Sequence, residues 1–232
     1  MKKTFFEIDY DQCSHLAMTL FMESAGINRE GPKFERMRKD AFHMLDCIEN
    51  RIELCGEYIF YGRDEIEFSE DRLSAGGQEF GCKAFEQLNK NSIIGVYLYA
   101  CSAGDYSLPD ENVLNQVYAD LWGTAFTDAV RILIRKELEK KAKLSESFGP
   151  GFYGMSTKTI MRMKALLDFD QLGIEVRESN IMVPLKSCAG LYFVVNDDYQ
   201  HINSQCVSCY GNLKSCNLCR VSTLNHGGIP SS

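Results

Sequence analysis

The stretch ESNIMVPLKSCAGLYF, residues 178 to 193, sets a proline, small residues and an aromatic pair in one extended run. Pro184 removes a backbone donor, Ser187, Ala189 and Gly190 keep their side chains short, and Tyr192 and Phe193 then supply a wall of rings. This pattern reads as a strand whose backbone admits a close approach. Upstream, SFGPGFYGM at 147 to 155 packs Gly149, Pro150, Gly151, Phe152 and Tyr153 into one turn. Glycine reaches backbone angles closed to other residues, so the turn is either a connection between elements or a floor for a flat ligand. On the second reading Gly149 and Gly151 let the main chain come near the ligand. Pro150 fixes the bend, and Phe152 and Tyr153 present apolar surface.

Working outward, NSIIGVYLYAC at 91 to 101 is β-branched and aromatic with polar flanks, which predicts a strand covered on both faces. From Pro109-Asp110 to Lys143, Leu114, Val117, Tyr118, Leu121, Ala125, Phe126, Ala129, Val130 and Leu133 recur at helical spacing. Asp110 is the expected cap, and Lys140, Lys141 and Lys143 favour the negative end of the dipole. An unbroken helix of that extent is about 50 Å long. TKTIMRMKALLDFDQLG predicts a further helix ending at Gly173, followed by strand-like IEVRES and LKSCAGLYFVVNDD. Residues 10 to 55 read as helix interrupted at GINREGPK, 26 to 33, and residues 63 to 77 as loop, strand or short turns. The expected class is α+β: an antiparallel or mixed bent sheet flanked by helices, with a long central helix and a small metal-binding C-terminal tail. The expected divisions are a helical region over 1–80, a core over 81–200 and a cysteine-rich tail over 201–232.

The chain has 232 residues, 45% hydrophobic and 25% charged, so it can bury a sizeable core and lacks the composition of a disordered segment. A formal charge of −7 argues against a nucleic-acid partner, which calls for clustered Lys and Arg. No apolar run is long enough to span a membrane, and MKKTFFEIDYDQ turns acidic before a secretory segment develops, so the expected location is cytoplasmic. Cys13, Cys47, Cys55, Cys82, Cys101 and Cys188 are spread singly and are expected to be buried small apolar residues in a reducing compartment. His15 and His43 lie on helical patterns, while His201 and His226 flank the tail. G-x-S-x-G, Walker, G-x-G-x-x-G and H-E-x-x-H motifs are all missing. Asp120 and Asp128 are eight apart on the long helix, about 12 Å along its axis, too far for a paired acid and base.

The tail CVSCYGNLKSCNLC places Cys206, Cys209, Cys216 and Cys219 as C-x2-C-x6-C-x2-C. Two residues between thiols let both sulfurs face one centre, and two such hooks supply four soft ligands. The short gap between the hooks leaves zinc and a [4Fe-4S] cluster both open.

Glu178, Ser179, Met182, Pro184, Ser187, Gly190, Tyr192 and Phe193 fall in order on E-S-x-x-M-x-P-x-x-S-x-x-G-x-Y-F. Together with the Gly-Pro-Gly turn, this resembles the activation domain of cobalamin-dependent methionine synthase. The helix carrying Asp120, Gly123 and Asp128 is similar to that family's acidic helix before the turn. The resemblance covers about half of the chain and implies that Asp120, Asp128, Gly149, Pro150, Gly151, Phe152, Tyr153, Glu178, Ser187, Gly190 and Tyr192 line a cofactor site. It implies S-adenosylmethionine as a ligand and a cobalamin carried by a partner, which is either a corrinoid-carrying protein or a methionine synthase lacking its own activation domain. The implied activity is reductive methylation or reduction of that corrinoid; the alternative is a non-catalytic corrinoid-protein binding module with a structural zinc tail. Two positions depart from the family pattern. The turn's arginine, which holds the amino-acid end of S-adenosylmethionine in the family, falls on Ser147, and its tyrosine falls on Phe152. Lys186 or Arg177 is the cation expected to take the arginine's place if S-adenosylmethionine binds.

Overall fold

The computed structural model describes residues 3–107 and 112–202. The protein is α+β, with antiparallel sheets flanked by helices. Its elements run β1 (Thr4–Phe5), α1 (Tyr10–Ser24), α2 (Pro32–Ile48), β2 (Ile52–Gly62), β3 (Ile66–Phe68), β4 (Arg72–Ala75), β5 (Gln78–Gly81), β6 (Ile93–Gly104), α3 (Val113–Glu139), β7 (Leu144–Phe148), α4 (Thr159–Lys164), β8 (Glu175–Val176), β9 (Met182–Val183) and β10 (Ser187–Val195). The main sheet has the order β1-β2-β6-β10-β7; β3-β4-β5 and β8-β9 form smaller sheets. The described residues fall into two compact units, one of residues 3–59, 98–107, 112–142 and 167–189, the other of 60–97, 143–166 and 190–202.

In the first unit α3 is the organising element. Asn112 caps it by accepting the Leu114 N–H at 3.0 Å, so the helix begins inside the range expected from sequence. Asp110, the expected cap, lies outside the described residues. The helix ends at Glu139 and is about 40 Å long. Its buried face carries Tyr118, Trp122, Phe126, Val130 and Leu133, whereas Leu114 and Val117, expected on that face, are exposed. Trp122 stacks on Phe21 of α1 with centroids 3.8 Å apart and donates its indole N–H to the Ala41 carbonyl of α2 at 2.9 Å. A fully buried indole needs such a partner. Helix α2 starts at Pro32, where a missing N–H costs nothing.

In the second unit, Phe85, Phe148 and Phe193 pack with centroids 5.3 to 5.5 Å apart. β7 pairs with β10 through Leu191 opposite Phe148 and Tyr192 opposite Ser147. The strand expected over 91–101 is present as β6, buried along almost its whole length.

Three expectations are corrected. The helix expected through residue 55 stops at Ile48, and Ile52–Gly62 is a strand. The helix expected up to Gly173 is the six-residue α4, followed by turns. There the Asp168 carboxylate accepts the Gln171 N–H at 3.1 Å and starts a turn in place of a helical one. Of the six single cysteines, Cys13, Cys82 and Cys101 are buried, Cys55 and Cys188 are half-buried, and Cys47 is exposed. Helix α2 turns Ala41, Met44 and Ile48 inward, which leaves Cys47 outside that stripe.

Candidate functional site

Two groups of expected site residues are placed by separate means. The first lies on α3 and the segment leading into β10. Gly123 has no side chain, and a Cβ there would stand 2.8 Å from both Lys186 Cγ and the Tyr106 ring. The gap lets Lys186 lie flat against the helix. Its Nζ donates to Asp120 Oδ1 at 2.6 Å and Thr124 Oγ1 at 2.9 Å, and its carbonyl accepts the Thr127 hydroxyl at 3.2 Å and the Ala103 N–H at 2.9 Å. Lys186 is thus held at both ends, with its side chain 16% exposed beside a 68% exposed carboxylate. Next to it, Ser187 donates to Ser102 Oγ at 3.1 Å. Asp128 is engaged by Arg131 at 3.1 Å.

A cleft of about 500 Å³ opens beside this lysine, with Val113, Val117, Leu121 and Leu185 as apolar wall and Asp105, Asp120 and Lys186 as charged groups. The Asp105 carboxyl lies below the usual carboxylate range because the Ser107 hydroxyl and N–H both donate to it. A second hollow of about 280 Å³ is lined by Glu53, Cys55, Ser102, Leu172 and Pro184. Burial raises the Cys55 thiol, which donates to the Leu172 carbonyl at 3.3 Å. Glu178 is exposed in the turn joining β8 and β9, where Arg177 N–H donates to the Ile181 carbonyl.

The second group is the Gly-Pro-Gly turn, which leaves β7 and is built by its backbone. Phe152 N–H donates to Gly149 O at 3.0 Å, Met155 N–H to Phe152 O at 2.8 Å, and Gly151 N–H to Met155 O at 2.9 Å. Gly151 has φ +91° and open space where a Cβ would be, so its glycine is required by conformation. Tyr153 adopts φ +54°, a rare conformation for a bulky residue that its surroundings must hold. Its carbonyl accepts the Ala84 N–H at 3.1 Å and the Cys82 thiol at 3.3 Å, and its ring packs on Phe148 at 4.8 Å. Burial pushes the Tyr153 hydroxyl up to about 12. The turn therefore exposes Phe152, 54% accessible, and tucks Tyr153 inside. Gly149 and Pro150 are half-buried, while Gly190 and Tyr192 are buried in β10. Ser147, at the position of the family's arginine, is a half-buried strand residue.

Also in this second unit, Glu146 of β7 accepts the Tyr199 hydroxyl at 3.2 Å, the Ile202 N–H at 2.8 Å and a contact from His201 Nδ1 at 2.9 Å. Sequence reasoning missed Glu146, Tyr106 and Arg131. No local signal marks Glu146, because its strand, LSESF, is polar at three of five positions and does not read as apolar. Cys206, Cys209, Cys216 and Cys219 lie outside the described residues, and no group of metal-ligating side chains forms among the described ones. Among the described residues no helix is long and apolar enough to cross a membrane.

The described architecture is similar to a solved structure, the MetH reactivation domain bound to AdoHcy. The likeness has a TM-score of 0.60, covers 87% of this chain and 81% of that one, and carries 14% sequence identity. At that identity it establishes a shared fold. No protein-family model matches the chain, and the search of curated proteins gives no match.

Proposed function

We propose that the chain is an activation-domain-like module that binds an adenosyl ligand of the S-adenosylmethionine type and acts on a corrinoid carried by a partner protein. The observation that carries this reading is the fold shared, over most of both chains, with a reactivation domain that holds AdoHcy. The motif-bearing segments support it. Ser147 and Phe148 are register partners of Tyr192 and Leu191, so the turn and the end of the E-S-x-x-M run belong to one two-stranded frame.

In this reading the chain's work is binding and orientation. Phe152 offers a flat face to an adenine or a corrin edge. Gly151 keeps the main chain beside it open. S-adenosylmethionine, when bound, supplies an electrophilic methyl group; the cobalt chemistry belongs to the partner's corrinoid. The four tail thiolates suit zinc and a [4Fe-4S] cluster alike as a donor set. In the cluster form the tail would deliver the low-potential electron that cobalt(II) needs. The partner is a corrinoid-carrying protein or a methionine synthase without its own activation domain.

Ser147 favours a second reading, a non-catalytic module that caps a corrinoid protein, because a hydroxyl cannot replace a guanidinium that forks onto a carboxylate. Mixing the chain with corrinoid proteins and following the cobalt spectrum decides between the two. Conversion of the cobalt(II) spectrum that depends on S-adenosylmethionine and a reductant supports the first reading. A shift that is the same with and without S-adenosylmethionine supports the second.

A further inference from the structure

Two of the single cysteines are direct neighbours across the sheet. β6 and β10 are adjacent strands. Ala103 N–H donates to the Lys186 carbonyl at 2.9 Å, and Ser187 meets Ser102 through their hydroxyls at 3.1 Å. Each step forward on β6 is a step back on β10, so the register puts Cys101 opposite Cys188. Since Ala103 and Lys186 form a hydrogen-bonded pair, Cys101 and Cys188, two residues along, form the next pair of that kind, with Cα atoms about 5.5 Å apart. This lies within the 4.4–6.8 Å span of disulfides. Cross-strand partners directly opposite each other point their side chains to one face, so the two thiols lie side by side.

Their surroundings differ. Cys101 is fully buried, while Cys188 is half-buried and has the Tyr99 hydroxyl 3.8 Å from its sulfur. The Cys101 thiol is raised by donating to Cys188 and by burial; that same hydrogen bond and the Arg131 guanidinium lower the Cys188 thiol against the cost of burial. One sulfur is suited to attack and its neighbour to resolve.

We propose that Cys101 and Cys188 are a thiol–disulfide exchange site whose substrate is a low-molecular-weight disulfide such as oxidised glutathione. Cys188 thiolate attacks one glutathione sulfur, breaking the S–S bond and releasing one glutathione thiolate. Cys101 thiolate then attacks the Cys188 sulfur, forming the protein disulfide and expelling the second glutathione thiolate. Two protein thiols are oxidised, one disulfide is reduced, and the two thiol protons pass to the released glutathiones. The chemistry is independent of the corrinoid reading, so either can fail alone.

The test uses the full chain with oxidised and then reduced glutathione. It is followed by blocking of free thiols, digestion, and fragment-ion mass spectrometry that assigns every linked sulfur, including those of the tail. The expected result is a Cys101–Cys188 linked peptide that disappears with reduced glutathione, while Cys47 carries only glutathione. Cys101→Ser should trap glutathione on Cys188, and Cys188→Ser should slow the modification of Cys101 at least about tenfold. Recovery of both cysteines as free thiols while Cys47 is modified overturns the proposal, as does a lasting glutathione adduct on Cys188 of the unaltered chain. Should a serine variant not fold, the mapping on the unaltered chain still decides.

Discussion

The Lys186 region and the Gly-Pro-Gly turn hold their functional residues by opposite means. Around Lys186 the order comes from side chains: an ammonium fixed between Asp120 and Thr124 on a helix that Gly123 has cleared. In the turn it comes from the backbone, with Gly151 and Tyr153 in the left-handed half of conformational space and the Tyr153 carbonyl taking two donors. A site built from charges responds to salt and pH. A site built from backbone responds to packing, because its strained residue stays in place only while its ring is buried.

The largest expected effect breaks the turn. Tyr153→Ala removes the ring packed on Phe148 and should cost about 3 kcal/mol of unfolding free energy, read from denaturant midpoints. A loss within about 0.5 kcal/mol would mean that the turn holds itself. Gly123→Val is the matching change on the other side. It drives a branched side chain into Lys186 and Tyr106, with an expected cost of about 2 kcal/mol and loss of the Lys186–Asp120 contact.

Glu57 lacks the compensation Lys186 enjoys. Glu57 on β2 is fully buried; its Oε2 accepts the Asp168 N–H at 2.6 Å and its Oε1 has no partner. Desolvation raises its carboxyl above the usual range, partly offset by that hydrogen bond. A folded-state value above the unfolded one means that the contribution to stability is complete below the unfolded value, about pH 4.3. It is lost as pH rises through the raised folded value. Glu57→Gln should therefore raise the melting temperature at neutral pH and flatten its dependence on pH above the carboxylate range. Lower stability of the variant at pH 7 would mean that the charged form is the one the fold prefers. The smallest effect should be that of Lys186→Met: about 0.5 kcal/mol, shrinking as salt is added, because Asp120 is mostly exposed.

These regions were also unequally legible in the sequence. The pattern of the turn stood out because glycine and proline mark backbone geometry locally. Which ring faces outward did not, since Phe152 and Tyr153 are equivalent as residue types and only the positive φ of Tyr153 separates them. β6 was readable because both of its faces are apolar, whereas β2 was hidden by Glu53, Gly56 and Glu57, one of which the fold buries against its chemistry. The long helix was readable from its spacing, but its exposed Leu114 and Val117 fit the same period as its core residues. The end of α4 depends on Asp168, whose N–H reaches Glu57 across more than a hundred residues of chain, a contact that no local pattern encodes. The partnership of Cys101 and Cys188 likewise follows from register alone.

The most direct test of the adenosyl-binding claim is calorimetric titration of the full chain with S-adenosylmethionine and with S-adenosylhomocysteine. The account predicts saturable binding of both, weakened at least about tenfold by Phe152→Ala with the melting temperature unchanged. No heat at millimolar ligand, or binding indifferent to Phe152, would contradict it.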